Sequence, residues 1–241
     1  MKKIILILLL LVPGISWGRS VGGMRSDIRR AMNDVPDPKV RYTNDFIFDL
    51  MNKVQRDVVN QTWCLQTMTD VTLTAGTTYY SLPTGMIAII QVDFKDSSNK
   101  VSELGEISER ALKQENPDHE RTGGKPNQYF VRYSTYQVTT MQIGFYPAPS
   151  TVSSTGTVRI RYYNQATNID DDDDVFFDGY RFLIPYDDVI QYGVIARLKL
   201  LEGDINGSNF YMQMYKEGLA VMRDRLGRMP NYTPSFGGAS K

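Results

Sequence analysis

"YTNDFIFDLMNKVQRDVVNQTWCLQTMTDVTLT", residues 42–74, changes its hydrophobic period once, and that change decides the fold class. Phe46, Ile47, Leu50, Met51, Val54 and Val58 recur at three- and four-residue spacing, which predicts a helix with one face on a core. Thr43 is a candidate N-cap, and Asp45 suits the positive end of the helix dipole. The helix should end near Trp63-Cys64. From Gln66 the period becomes two, with Met68, Val71 and Leu73 leading into the turn "TAGT".

Outward from this junction the chain sorts into blocks. Upstream, "MRSDIRRAMNDV" (24–35) predicts a short helix stopped by Pro36 and Pro38. Downstream come the strands "YYSLP", "MIAIIQVDF", "QYFVRYS", "QVTTMQIGFYP" and "TVRIRYYNQ", with a helix expected over 103–116 and a polar tip at "APSTVSSTG". Two helices follow. Ile190, Val194, Leu198 and Leu201 share a face on the first, and Tyr211, Tyr215, Leu219, Met222 and Leu226 on the second. Segregated runs of this kind predict an α+β fold, a helical bundle carrying an inserted antiparallel β-lobe. The expected organisation is a bundle from 24–64 plus 180–228, a lobe over 65–179 with one short helix, and a flexible tail at 230–241.

The first residues, "MKKIILILLLLVPGISWG", have the pattern of a secretory signal: Lys2-Lys3, nine apolar residues, and small residues suiting cleavage before Arg19. The apolar run is too short to span a bilayer. Internal initiation at Met24 is the alternative reading. Beyond residue 18 the composition argues against a disulfide-stapled secreted domain, because Cys64 is the only cysteine. Without Lys2 and Lys3 the chain has 25 basic residues against 27 acidic ones, which argues against a broad nucleic-acid-binding face.

Catalytic chemistry has little material here. His119 is the sole histidine and reads as a surface residue, while Cys64 reads as a small buried hydrophobe. The run Asp170, Asp171, Asp172, Asp173 and Asp174 lacks the alternation and the glycine of a calcium loop, so it reads as a solvated segment or an electrostatic contact. Asp187-Asp188 reads as ordinary helix-start chemistry. "RTGGKP" (121–126) lacks a phosphate-loop pattern, and Pro126 blocks a following helix, so it reads as a turn. Arg159 and Arg161 alternate with Ile160 and Tyr162, giving one strand a basic face that Arg132 is expected to extend across the sheet, toward DNA phosphate or a neighbouring subunit. No enzyme activity, cofactor or metal site is expected.

Seven segments in order carry a resemblance: "MRSDIRRAMND", "YTNDFIFDLMNKVQRDV", "TTYYSLPTGMIAIIQV", "GKPNQYFV", "IGFYPAPS", "TVRIRYYNQ" and "FLIPYDDVIQYGVIARL". Over residues 24–228 the chain resembles the head–tail adaptor (connector or neck) proteins of tailed bacteriophages. The resemblance implies a structural virion protein at the head–tail junction, assembled in the host cytoplasm as a homo-oligomeric, dodecameric ring around the DNA channel. Its implied partners are the portal protein, a tail or nozzle protein and double-stranded DNA in transit, with no membrane partner. It also implies a C-terminal segment, Arg228, Met229, Tyr232 and Phe236, that reaches the portal. Arg132, Arg159, Arg161 and Asp170 to Asp174 are the candidate subunit or channel contacts. Two rival readings stand beside it. One is an exported, non-enzymatic binding protein for a carbohydrate or protein partner; the other is an exported hydrolase using the clustered aspartates.

Overall fold

The computed structural model describes residues 19–34, 40–133, 141–150, 156–180 and 182–228. The fold is α+β. Its helices are α1 (Val21–Ala31), α2 (Asn44–Thr62), α3 (Glu109–Glu115), α4 (Asp187–Leu201) and α5 (Ile205–Gly227). Its strands are β1 (Gln66–Thr72), β2 (Tyr79–Ser81), β3 (Met86–Asp96), β4 (Val101–Glu103), β5 (Gly105–Glu106), β6 (Gln128–Tyr133), β7 (Met141–Tyr146) and β8 (Gly156–Asn164).

The period change at residues 42–74 is visible as a physical joint. Thr43 caps α2 by accepting the Phe46 N–H at 3.2 Å. Ile47, Leu50, Met51, Val54 and Val58 are buried, while Phe46 lies outside and stacks on Tyr42. Trp63 ends the helix in the left-handed conformation, φ 55°, and its N–H still donates to the Val59 carbonyl at 2.8 Å. Its ring meets Tyr163 of β8 edge-on at 4.9 Å, which anchors the turn from helix into strand.

The strands form two four-stranded sheets, ordered β1-β8-β3-β4 and β2-β7-β6-β5. Pairing is antiparallel except for β5 with β6, which is parallel. Their inner faces share one core, with Val92, Phe94, Val158 and Ile160 from the first sheet meeting Tyr129, Ile143 and Phe145 from the second. A second core joins α1, α2, α4 and α5 with the loop that follows β8. At its centre α4 is apolar nearly all round, as a helix surrounded by others must be. Gly193 permits the closest approach, since a β-carbon there would sit 2.6 Å from Val54 of α2 and 3.1 Å from the Tyr215 ring of α5.

Several expectations are corrected. The helix expected over 103–116 is only α3, because Val101–Glu106 pairs as β4 and β5, and Ser108 caps the helix by accepting the Ala111 N–H. Leu201 is not a core residue but 64 % exposed, at the end of α4 where the chain turns away. His119 is buried rather than on the surface, lying beneath the Phe130 ring. Most of the expected tip between β7 and β8 lies outside the described residues.

The first helix starts three residues before Met24. Ser20 caps α1 through the Gly23 N–H at 3.1 Å, and Val21 is fully buried. A chain beginning at Met24 is therefore expected to unfold about 3 kcal/mol more easily, from the lost cap and the lost Val21 burial. Equilibrium urea denaturation of the two chains measures this, and equal midpoints would contradict it.

Candidate functional site

β8 places its arginines by simple alternation. Val158, Ile160 and Tyr162 point into the lobe core, so Arg159 and Arg161 point out. The register sets Arg159 opposite Asp70 of β1 and Asp93 of β3. Arg159 grips Asp70 with two parallel bonds, Nε to Oδ1 at 2.8 Å and Nη2 to Oδ2 at 3.0 Å. This bond holds the Asp70 carboxyl below the usual carboxylate range. Arg161 reaches Asp93 at 3.9 Å. The stripe read from "RIRYY" is thus a ladder of paired charges of both signs.

Arg132 does not join that ladder. It lies on β6 in the other sheet, where its guanidinium covers the Tyr79 ring at 3.2 Å and its Nε donates to Gln142 at 3.2 Å. Beneath it the Tyr79 hydroxyl donates to Glu120, which keeps the Glu120 carboxyl low. Burial, together with that carboxylate, raises the Tyr79 phenol.

The aspartate run is folded in on itself and onto the helices. Asp174 accepts the backbone N–H groups of Asp170 and Asp171 at 2.7 and 2.9 Å, which lowers its pKa. The Asp172 carbonyl accepts the Gly22 N–H at 3.1 Å, and its carboxylate pairs with Arg25 of α1 at 2.7 Å. Asp170, Asp171 and Asp173 carry the exposed charge. With Asp45 and Asp49 of α2, Asp170 lines a wide cleft of about 330 Å³ in which Arg56 is the one cation among the described residues.

Two polar residues that look unremarkable in the sequence hold this loop. Asn52 of α2 brackets Ile169, donating to its carbonyl at 2.8 Å and accepting its N–H at 2.7 Å. Gln55, one turn on, donates to the Thr167 carbonyl at 3.0 Å and accepts the Phe177 N–H at 2.8 Å. A helical pattern reader assigns both to the polar face; the signal for a buried role is that each sits beside the apolar stripe. Asp187, which reads as routine helix-start chemistry, is 6 % exposed. Burial and the neighbouring Asp188 push its carboxyl up to about 7 against the Arg19 backbone N–H and guanidinium.

The corner between α4 and α5 exposes Leu200, Leu201 and Ile205, and Phe210 is exposed further along α5. Gly203, φ 79°, makes the turn, and Asp204 caps α5 by accepting the Gly207 N–H at 2.9 Å. Arg228 is exposed at the end of α5, paired with Asp224. Met229, Tyr232 and Phe236 lie outside the described residues, as does the signal-like leader. Cys64 is buried and not in a disulfide. No described helix is long and apolar enough to cross a membrane.

The family model for the SU10 adaptor protein matches residues 19–235. No curated protein matches the chain.

Proposed function

Because the chain belongs to the SU10 adaptor protein family, a phage adaptor-type group, we propose that it is the subunit of a ring joining the portal to the tail of a tailed phage. The role is structural: many copies, dodecameric in number, surround the channel through which DNA passes. The observation that carries the reading is the match itself, which takes in every described residue and begins at Arg19, beside the Ser20 cap of α1.

Surface chemistry supports it. A ring subunit needs an apolar patch for its neighbour and polar surface that does not grip passing phosphate. Exposed Leu200, Leu201 and Ile205 at the α4–α5 corner, with Phe210 further along α5, supply the apolar surface. The ladder on β8 pairs its arginines with aspartates, so it offers balanced charge for a neighbour's ladder rather than a basic rail for DNA. In this arrangement the bundle (24–64 with 180–228) forms the ring, the lobe (65–179) projects from it, and the segment after Arg228 reaches the portal. The aspartate loop faces the neighbouring subunit or the channel.

Native mass spectrometry of the protein, alone and with the cognate portal, tests this. Higher-order rings are expected, and Leu201→Glu with Phe210→Ser should leave a folded monomer of unchanged melting temperature. Wild-type protein that stays monomeric at high concentration with portal present would overturn the proposal.

A further inference from the structure

Among the described residues, one buried side chain has no partner for either of its polar atoms. His119 is 3 % exposed, and neither Nδ1 nor Nε2 makes a hydrogen bond. A neutral imidazole carries one donor and one acceptor, and leaving both unmade in the interior costs roughly 1–3 kcal/mol each. The ring is held by Phe130, edge-on at 6.0 Å, and by the tight 3-10 turn His119–Arg121. It is not held by hydrogen bonds.

Its nitrogens are not remote from chemistry. One ring nitrogen and one carboxylate oxygen each from Glu109 and Glu120 lie within 4.8 Å of one another. Glu109 comes from α3 and is partly buried, with Lys113 bonded to its Oε1 at 2.8 Å. Glu120 is exposed and accepts the Tyr79 hydroxyl, with Arg132 at 4.0 Å. Each carboxylate has a second oxygen available, and the exposed Glu120 leaves a path from solvent.

We propose that His119, Glu109 and Glu120 form a binding site for a divalent transition-metal ion of the zinc type. One imidazole nitrogen with two carboxylate oxygens is a donor set for zinc, manganese or cobalt. Magnesium and calcium prefer oxygen alone. Three protein ligands leave a fourth position for water or for a side chain of a neighbouring copy. Bound metal would satisfy the buried ring and fasten α3 and the 3-10 turn to β2 and β6 through Tyr79 and Arg132. Sequence spacing hides the site, because Glu109 is ten positions from His119 and on a separate helix. The site is independent of the ring assembly and survives if that reading fails.

Isothermal titration of chelator-stripped protein with zinc chloride tests the proposal, with cobalt(II) absorption as the reporter of coordination. One zinc per chain is expected, together with a visible cobalt band and a zinc-dependent rise in melting temperature. Magnesium and calcium should give no such rise. His119→Gln and Glu109→Gln should each weaken zinc binding by at least about tenfold. Glu109→Gln is the variant that leaves the Phe130 packing untouched. No zinc binding to the folded wild type overturns the site, as does zinc binding unchanged in both variants, which is the result a Cys64 site would give.

Discussion

Replacing Asn52 with leucine is expected to lower the unfolding free energy by about 4 kcal/mol, a large share of the stability of a domain this size. The side chain makes two hydrogen bonds to one residue, and both are buried. Ile169 is 1 % exposed, so its N–H and C=O lose their partner without gaining water. Leucine has similar volume and keeps the helix, so the loss reports the two orphaned backbone groups and not a cavity. Gln55→Leu is expected to cost less, about 2–3 kcal/mol, because Thr167 is exposed and water can take over its carbonyl. The double variant should fall short of the sum, since either change frees the same loop. Urea denaturation gives the values. An Asn52→Leu loss below 1 kcal/mol would mean that the loop after β8 does not depend on α2.

These two residues mark where sequence reading ends. The α+β class, α2 with its Thr43 cap, β3 and the buried face of α5 were all legible, because each follows from a hydrophobic period or a local cap. The division of eight strands into two sheets was not. Arg132 and Arg159 sit in strands of similar pattern, and only non-local pairing sends β6 and β8 to different sheets. Leu201 continues the apolar stripe of α4, yet Gly203 turns the chain before a partner covers it. His119, in a polar stretch, was sent to the surface by its neighbours in sequence, whereas its burial comes from Phe130, eleven residues away on β6. The aspartate run was legible as a loop, but its hold on α1 through Gly22 and Arg25 depends on contacts about 150 residues apart.

The second large effect concerns Asp187, the residue that begins α4. Its folded pKa of about 7 stands above the ordinary 3.8, so between those values the folded chain holds a proton that the unfolded chain has released. Stability from this group is therefore fully present below pH 4, falls as pH rises toward 7, and stays low beyond. The shift corresponds to about 3 kcal/mol once residual water at the helix start is allowed for. Asp187→Asn keeps an oxygen to accept the Arg19 N–H but has no charge to bury. The variant should match wild type near pH 4 and exceed it by about 3 kcal/mol at pH 8, read from denaturation at a series of pH values. A constant difference across that range would show that Asp187 does not titrate in the window. A chain starting at Arg19 would reverse the sign of this effect. In a chain whose first residue is Arg19, the same nitrogen is an ammonium group rather than an amide, and it adds a full positive charge at hydrogen-bond range of the buried carboxylate. Such a chain is expected to hold its stability through pH 7, and there Asp187→Asn should destabilise it. The pH profile of Asp187→Asn thus distinguishes a chain that starts at Arg19 from one that does not, as well as reporting on the helix that Asp187 begins.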